Sequence, residues 1–410
     1  MSTAAPPEIG AAAVGADSLR GVIRARWEAL KAGDVGSLPV IVGIVGITIF
    51  FTSKTDIFFT SVNFSNLIGQ MAGVTVIGVG VVFVLLIGEI DLSVGFVSGV
   101  AGVVVAELQM PGSGHQFPGL VAIGGALLAG AVIGALQGSF VALIGVPSFV
   151  VTLAGLLAWQ GVILQLLGTQ GVIGIEDHQI NDISNYILTK NTGWIVAIVL
   201  AGGLALATLG SYVSRHRAGL PTGNPVIAIV RVLFFGGLAF ATVAVCNHSR
   251  GLPLVGLVIV FVVVLGGYVA TRTTFGRHVY AVGGNAEAAR RAGINVPLIR
   301  ILVFMISGAM AALGGVIFAS YLNAVDLTAG SGTILLDAIS AAVIGGVSLF
   351  GGRGRVIGAL FGGLIIGMIS NGTDLVGYSD AIKYITTGVI LLAAVTLDTV
   401  ARRRQAAVGR

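Results

Sequence analysis

IFFTSVNFSNLIGQMAGVTVIGVGVVFVLLIG, residues 57–88, runs for thirty-two residues without a charged side chain. A helix needs about 20 mostly apolar residues to cross the hydrocarbon of a bilayer, so this stretch can span with residues to spare. The pattern repeats. Residues 251–271 and 301–325 are also free of charge, and residues 108–175 hold no acid, lysine or arginine, which leaves room for two spans and their loops. Of the 410 residues 56% are hydrophobic and 10% charged, with a mean hydropathy of +1.02. A soluble domain carries roughly 25% charged residues, so that class is excluded. The period-two alternation of barrel strands is absent. The expected fold is an all-α, polytopic transmembrane helical bundle.

Apolar periodicity and charge-free gaps predict about twelve spans, at 35–52, 64–87, 93–109, 119–143, 148–168, 193–212, 231–247, 253–271, 299–320, 333–350, 356–373 and 381–399. An even count puts both termini on one side, and basic residues gather on the cytoplasmic side of a membrane protein. With the N-terminus inside, eighteen of the 22 lysines and arginines fall inside; only Lys54, Lys190, Arg250 and Lys383 fall outside. The acids Asp56, Glu107, Glu176, Asp177, Asp182, Asp326, Asp374 and Asp380 fall outside as well. Residues 1–34 then form a polar, basic cytoplasmic tail, 35–400 the transmembrane domain, and 401–410 a basic cytoplasmic tail. The first apolar run starts too late for a cleaved signal peptide. Cys246 has no second cysteine to bridge and reads as a packing residue.

Glycine, at 63 residues, is abundant, and much of it recurs every fourth position: Gly130, Gly134 and Gly138; Gly358 and Gly362; Gly363 and Gly367. Small residues at that spacing let helix backbones approach closely, which matters where lipid removes the hydrophobic drive for association. The spacing serves either packing within one subunit or a dimer seam that can slide.

The segment FGRHVYAVGGNAEAARRAGINVP, residues 275–297, interrupts this apolar chain with three arginines, a histidine and a glutamate. Asn285 suits an N-cap, Glu287 the first turn, Arg290 and Arg291 the last turn, and Gly293 the C′ position. A short capped helix over 285–292 is predicted on the cytoplasmic face, and a solvated connector does not require one. The arginines, with Arg277, serve either to pair with acids on a docked partner or to hold topology. The chain lacks the G-x-x-x-x-G-K-[ST] loop that would hold ATP phosphates, since none of its four lysines follows a glycine. In the outer loop, 169–192, the run Glu176-Asp177-His178 with Asp182 fits no metal-ligand spacing, and it reads as a solvated acidic surface or a landing platform. GGRGR, residues 351–355, reads as a tight cytoplasmic turn.

The motif Glu287-Ala288-Ala289-x-x-x-Gly293 resembles the EAA loop of ABC-importer permeases. GEIDLSVG (88–95), VPSFVVTLAG (146–155), TRTTFGRHVYAVGGNAEAARRAGINV (271–296) and LDAISAAVIGGVSLFGG (336–352) resemble the sugar branch of that family, which serves ribose, xylose, arabinose and galactosides. An extra helical pair, expected within 213–255, is similar to the xylose permeases. Two departures stand out: Glu89 occupies a position where glycine is usual, and Ser340-Ala341-Ala342 differs from the small-residue pattern of xylose members. The resemblance implies a homodimeric permease of the bacterial inner membrane that binds no cofactor itself. It also implies a cytoplasmic ATP-binding subunit in two copies that uses ATP and Mg, an extracytoplasmic sugar-binding protein, and no nucleic-acid partner. Residues 271–298 would form the coupling loop, with Arg277, Asn285, Glu287, Ala288, Ala289, Arg290, Arg291 and Gly293 at the ATPase.

Charge in the bilayer core is costly, so Glu89 and Asp91 are expected near the cytoplasmic interface. There Asp91, helped by Ser93, either caps the third helix or takes part in gating. Asp337 either caps a helix that starts deep or lines the pathway. A neutral sugar needs hydrogen-bonding groups along its route. The candidates are Gln70, Gln137, Thr152, Trp159, Gln160, Gln165 and Asn323, though each taken singly fits an interhelical hydrogen bond better than a sugar contact. Ser148, Thr152, Gly155 and Trp159 share one face of the fifth helix.

Overall fold

The computed structural model describes residues 38–408 except 113, 115 and 221–223; the tail expected over 1–34 lies outside the described residues. The apolar runs become helices: α1 (Leu38–Thr52), α2 (Ser61–Leu86), α3 (Val94–Gln109), α4 (Gly119–Ser139) and α5 (Ser148–Leu167). After α6 (His178–Asn185) come α7 (Lys190–Arg217), α8 (Pro225–His248) and α9 (Leu254–Arg272). α10 (Thr274–Gly284), α11 (Ala286–Arg291), α12 (Val296–Leu322), α13 (Ile334–Ile344), α14 (Ile357–Val376) and α15 (Asp380–Val408) complete the chain. Short polar residues set the boundaries, because helix ends leave amides without partners. Thr60 caps α2 by accepting from the Asn63 amide at 3.2 Å, and Asn295 caps α12 by accepting from Leu298 at 3.1 Å.

The chain divides into two compact units. In the unit of residues 37–187 and 253–399, α2 and α12 lie at the centre, and their inward residues Ile77, Phe83, Phe304 and Val316 are almost wholly buried. The glycine spacing is used within the subunit. An added Cβ at Gly130 would strike the Gly308 carbonyl of α12, one at Gly134 the Phe304 carbonyl, and one at Gly138 would lie 3.0 Å from the Ile301 Cα. Gly362 meets Ala341 of α13, and Gly363 meets Thr75 of α2. Close backbone approach replaces the hydrophobic drive that lipid removes.

Among the described residues eight helices are long and apolar enough to cross a membrane: α2, α4 with its π-helical extension, α5, α7, α8, α9, α12 and α14. The helix expected to span at 333–350 is instead α13, eleven residues long. At 1.5 Å per residue it covers about 16 Å, half of a ~30 Å hydrocarbon core. It stops at Gly345, whose backbone packs against Gly358. α3 and the described part of α1 are also shorter than a full span. At the C-terminus α15 continues to Val408, so most of the expected basic tail is helical. α4 passes into a π turn, Phe140–Ile144, that ends at Gly145 with φ +83°.

The structure is not purely helical. Strands β1 (Val172–Gly174) and β2 (Ala324–Asp326) pair antiparallel with Ile173 opposite Val325. Three residues are too few for alternation to register in the sequence. The acidic outer loop is likewise built rather than merely solvated: Asp177 caps α6, accepting from Gln179 at 2.8 Å, and also accepts from the Gly119 amide at 3.1 Å. Among the described residues no group of histidine, cysteine and carboxylate side chains could hold a metal.

The described part of the second unit contains the α7–α8 hairpin, within 188–252, which starts earlier than the pair expected from 213. Its helices meet through Gly236 against Ala201, Trp194 against Phe240, and Asn247 donating to the Lys190 carbonyl at 2.9 Å. Ile195, Ile198, Leu206, Leu233 and Phe234 point outward. A face this apolar suits lipid contact.

Candidate functional site

The cationic connector forms two helices where the sequence predicts one. α11 matches its expected capping: the Asn285 side chain accepts from the Ala288 amide at 2.9 Å, and Gly293 takes φ +86°, a left-handed turn that favours glycine. Ala289 is buried, whereas Glu287, Ala288, Arg290, Arg291 and Gly293 are exposed. Glu287 pairs within its own helix, with Arg290 at 3.2 Å and Arg291 at 3.1 Å. These pairs are open to solvent, where an ion pair contributes about 0–1 kcal/mol, so they orient charge more than they stabilise. α10 had no clear apolar signal. It is nucleated by Thr273, which accepts from the Gly276 amide at 3.1 Å, and Arg277 lies along it, donating to Thr274 at 3.2 Å.

Where α10 ends, three backbones converge. Gly283 abuts the Leu86 carbonyl at the end of α2, and the Gly352 amide donates to that same carbonyl at 2.8 Å. Gly88, Gly351 and Gly352 all have left-handed φ values, +77°, +84° and +71°. A Cβ at Gly351 would lie 2.8 Å from the Gly283 oxygen and 2.9 Å from the Gly88 nitrogen. The GGRGR segment is the tight turn expected, and it is fastened to α10 by Tyr280, which donates to the Gly354 carbonyl at 2.8 Å. Burial pushes the Tyr280 phenol above its usual range, opposed in part by the Arg355 charge.

Beyond this junction the chain separates the two acids of GEIDLSVG. Glu89 faces Arg300 at 3.3 Å in a half-buried ion pair. Asp91 turns inward and is 4% exposed. Its Oδ1 accepts from the Ser93 amide at 2.9 Å and the Ser93 hydroxyl at 2.7 Å, and its Oδ2 accepts from Ser307 of α12 at 3.1 Å. Of the two roles expected for Asp91, the geometry gives capping an indirect form. Ser93 occupies the N-cap position, and Asp91 serves the helix start from two residues before it. Its burial is tolerated because three donors replace water.

Ser93 Oγ also lies 3.0 Å from the Gln137 side-chain oxygen. A hydroxyl has one proton, and the carboxylate is the stronger acceptor. Gln137 Nε2 reaches the notch at Gly155, and neither it nor the buried Trp159 Nε1 has a partner among the described residues. The face of α5 read from the sequence is the inward one: Ser148, Thr152 and Gly155 are buried and Trp159 half-buried. Ser148 accepts from the Ile90 amide at 3.3 Å, and Thr152 lies 3.4 Å from the Ile90 carbonyl.

The other pathway candidates do not join this cluster. Gln70 accepts from Asn371 at 2.9 Å beside a buried reciprocal pair of Asn371 with Asn63. Asn323 ends α12 in a left-handed conformation and accepts from Asn185 at 3.0 Å. Gln160 and Gln165 are exposed on α5. Asp337 is in the first turn of α13, but Thr333 holds the cap position, and Asp337 Oδ1 has no partner among the described residues. Sequence reasoning missed Ser307, Arg300 and Tyr280. Each is a lone polar residue in or beside an apolar helix, a signal that marks a polar contact without naming its partner.

Residues 63–395 match a protein family described as the permease component of the branched-chain amino acid transport system. The chain is 36% identical over 92% of its length to the xylose transport system permease protein XylH of Escherichia coli (strain K12), covering 95% of that protein. It is 33% identical over 83% of its length to the ribose import permease protein RbsC of the same strain, covering 87% of it. It is 28% identical over 91% of its length to the D-allose transport system permease protein AlsC, covering 92% of it. No solved structure matches the chain.

Proposed function

Because this chain belongs to that family of membrane permease components, we propose that it is the membrane-spanning subunit of an ATP-driven importer for a monosaccharide, xylose or another pentose. The observation that carries the coupling role is α11, a capped helix presenting Glu287, Arg290 and Arg291 outward from an otherwise apolar chain. The substrate class rests on the relatives, whose names specify xylose, ribose and allose. The chain works in a bacterial inner membrane as a homodimer, with both termini inside. α1, α3, α13 and α15 complete a twelve-element plan around the eight long spans. Two cytoplasmic ATP-binding subunits, which use ATP and Mg, seat on residues 271–298, and a sugar-binding protein docks outside. The sugar passes the inward face of α5, where Gln137, Thr152 and Trp159 offer neutral hydrogen-bonding groups. ATP-driven closure of the partners shifts the permease between inward-open and outward-open states.

The test is ATP hydrolysis by the reconstituted complex in wild type, Glu287→Arg and Gly293→Pro. Sugar-loaded binding protein should stimulate hydrolysis in wild type, and both changes should abolish that stimulation while the chain stays folded. Unchanged uptake in both variants would sink the coupling role. A second reading, transport driven by an ion gradient, draws on Asp337, a carboxylate with an unpartnered oxygen on a short helix. Uptake that ionophores abolish and vanadate leaves intact would favour it.

A further inference from the structure

Resting on the importer reading, we propose that residues 87–93 are a mechanical relay that carries displacement of α10 and α11 into α5. On one side this segment, at Gly88 and at Leu86 just before it, meets the end of α10 and the 351–355 turn through backbone atoms. Gly283 and the Gly352 amide both meet the Leu86 carbonyl, and Gly88 meets Gly351. Side chains at these positions would act as compliant spacers; glycine backbones in contact transmit a push without slack. Tyr280 extends the junction to Gly354, so α10 and the 351–355 turn move together.

On the other side the relay is clipped to α5 where the Ile90 amide donates to Ser148 at 3.3 Å. The Thr152 hydroxyl donates within its own helix, to the Ser148 carbonyl at 2.9 Å, and borders the Ile90 carbonyl at 3.4 Å. A second clip runs from Asp91 through Ser93 and Gln137 to the notch at Gly155. Glu89 anchors the middle to Arg300 at the start of α12, and Asp91 anchors it again at Ser307, two turns further along that helix. The segment therefore pivots on α12 and levers α5. The arrangement also explains why Glu89 stands where its motif usually has glycine: it supplies the pivot's ion pair.

The experiment uses the whole transporter, permease with its ATPase and binding protein, in proteoliposomes, with xylose uptake and ATP hydrolysis measured in the same vesicles. Ser148→Ala removes the clip on the Ile90 amide with little change of volume. Hydrolysis should stay stimulated within about twofold while sugar carried per ATP falls at least tenfold. Ser307→Ala, which removes the Asp91 anchor on α12 away from the sugar route, should lower the same ratio. Should Ser148→Ala fail to assemble, Ser307→Ala decides by that ratio. Uptake and hydrolysis that fall in proportion, or a ratio that does not move, overturn the relay. Failure of the importer reading looks different, because wild-type uptake would then proceed without hydrolysis.

Discussion

Gly124 and Gly138 lie on the same helix, α4, and the same substitution should act on them in opposite directions. Nothing stands within 4 Å of a Cβ added at Gly124. Replacing a helical glycine by alanine gains roughly 0.5–1 kcal/mol through reduced backbone entropy. At Gly138 the new Cβ would lie 2.9 Å from Phe304 Cβ and 3.0 Å from Ile301 Cα, against ordinary contact of 3.4 Å or more. The α12 backbone would have to retreat by about half an ångström, an overpacking cost of typically 1–3 kcal/mol. The entropy gain is common to both sites, so the two variants should differ by the overpacking cost, about 1–3 kcal/mol, with Gly124→Ala the more stable. The assay is thermal denaturation in one detergent, followed by loss of the monodisperse peak. One kcal/mol moves a melting midpoint by about 2–4 °C in a chain of 150–250 residues and by less in a longer one. Gly138→Ala should melt several degrees below Gly124→Ala. Shifts of the same sign and similar size would refute close helix packing as the reason for the glycine spacing.

Other outcomes follow from the same contacts. Arg300→Gln should destabilise the fold more than the double change Glu89→Gln/Arg300→Gln, because a half-buried charge that loses its partner costs more than removing both; a double-mutant cycle on melting temperature measures this. Asn371→Leu should cost about 2–4 kcal/mol by orphaning buried Asn63 and Gln70, and adding Asn63→Leu should recover part of that loss in the same melting assay. Gly293→Ala should lower stability by about 1–2 kcal/mol, the cost of a side chain in the left-handed region, while Gly293→Asn costs less; equal shifts would argue against the φ of +86°. The Tyr280 phenol is held above its usual value by burial. Its share of stability is thus complete below about pH 10 and lost as pH climbs through the raised value. Tyr280→Phe should flatten the alkaline limb of a melting-temperature profile.

Connectivity was legible where the signal is local. The cap of α11 follows from Asn285, Glu287, the two arginines and Gly293, which lie within nine residues, and the glycine spacing of α4 indicates a close crossing without naming α12 as the partner. Legibility failed where length or partner mattered. The stretch 333–350 is apolar enough to span, yet α13 stops after eleven residues, where Gly346 takes a left-handed φ of +87°. β1 and β2 are three residues each, below the length at which period two can be read. The partners of Asp91 were not legible: a buried carboxylate needs donors, and one of them, Ser307, is 216 residues away.

The sequence by itself determined the class, the apolar helices, the cationic segment 275–297 and the residues able to cap it, since hydrophobicity and capping act over a few turns. The tertiary structure decided which acid goes inside, which glycines touch, and that residues 87–93 stand between the cationic element and α5. Those are facts about pairs distant in the chain, and a buried polar group is stable or unstable according to the partner that folding brings to it.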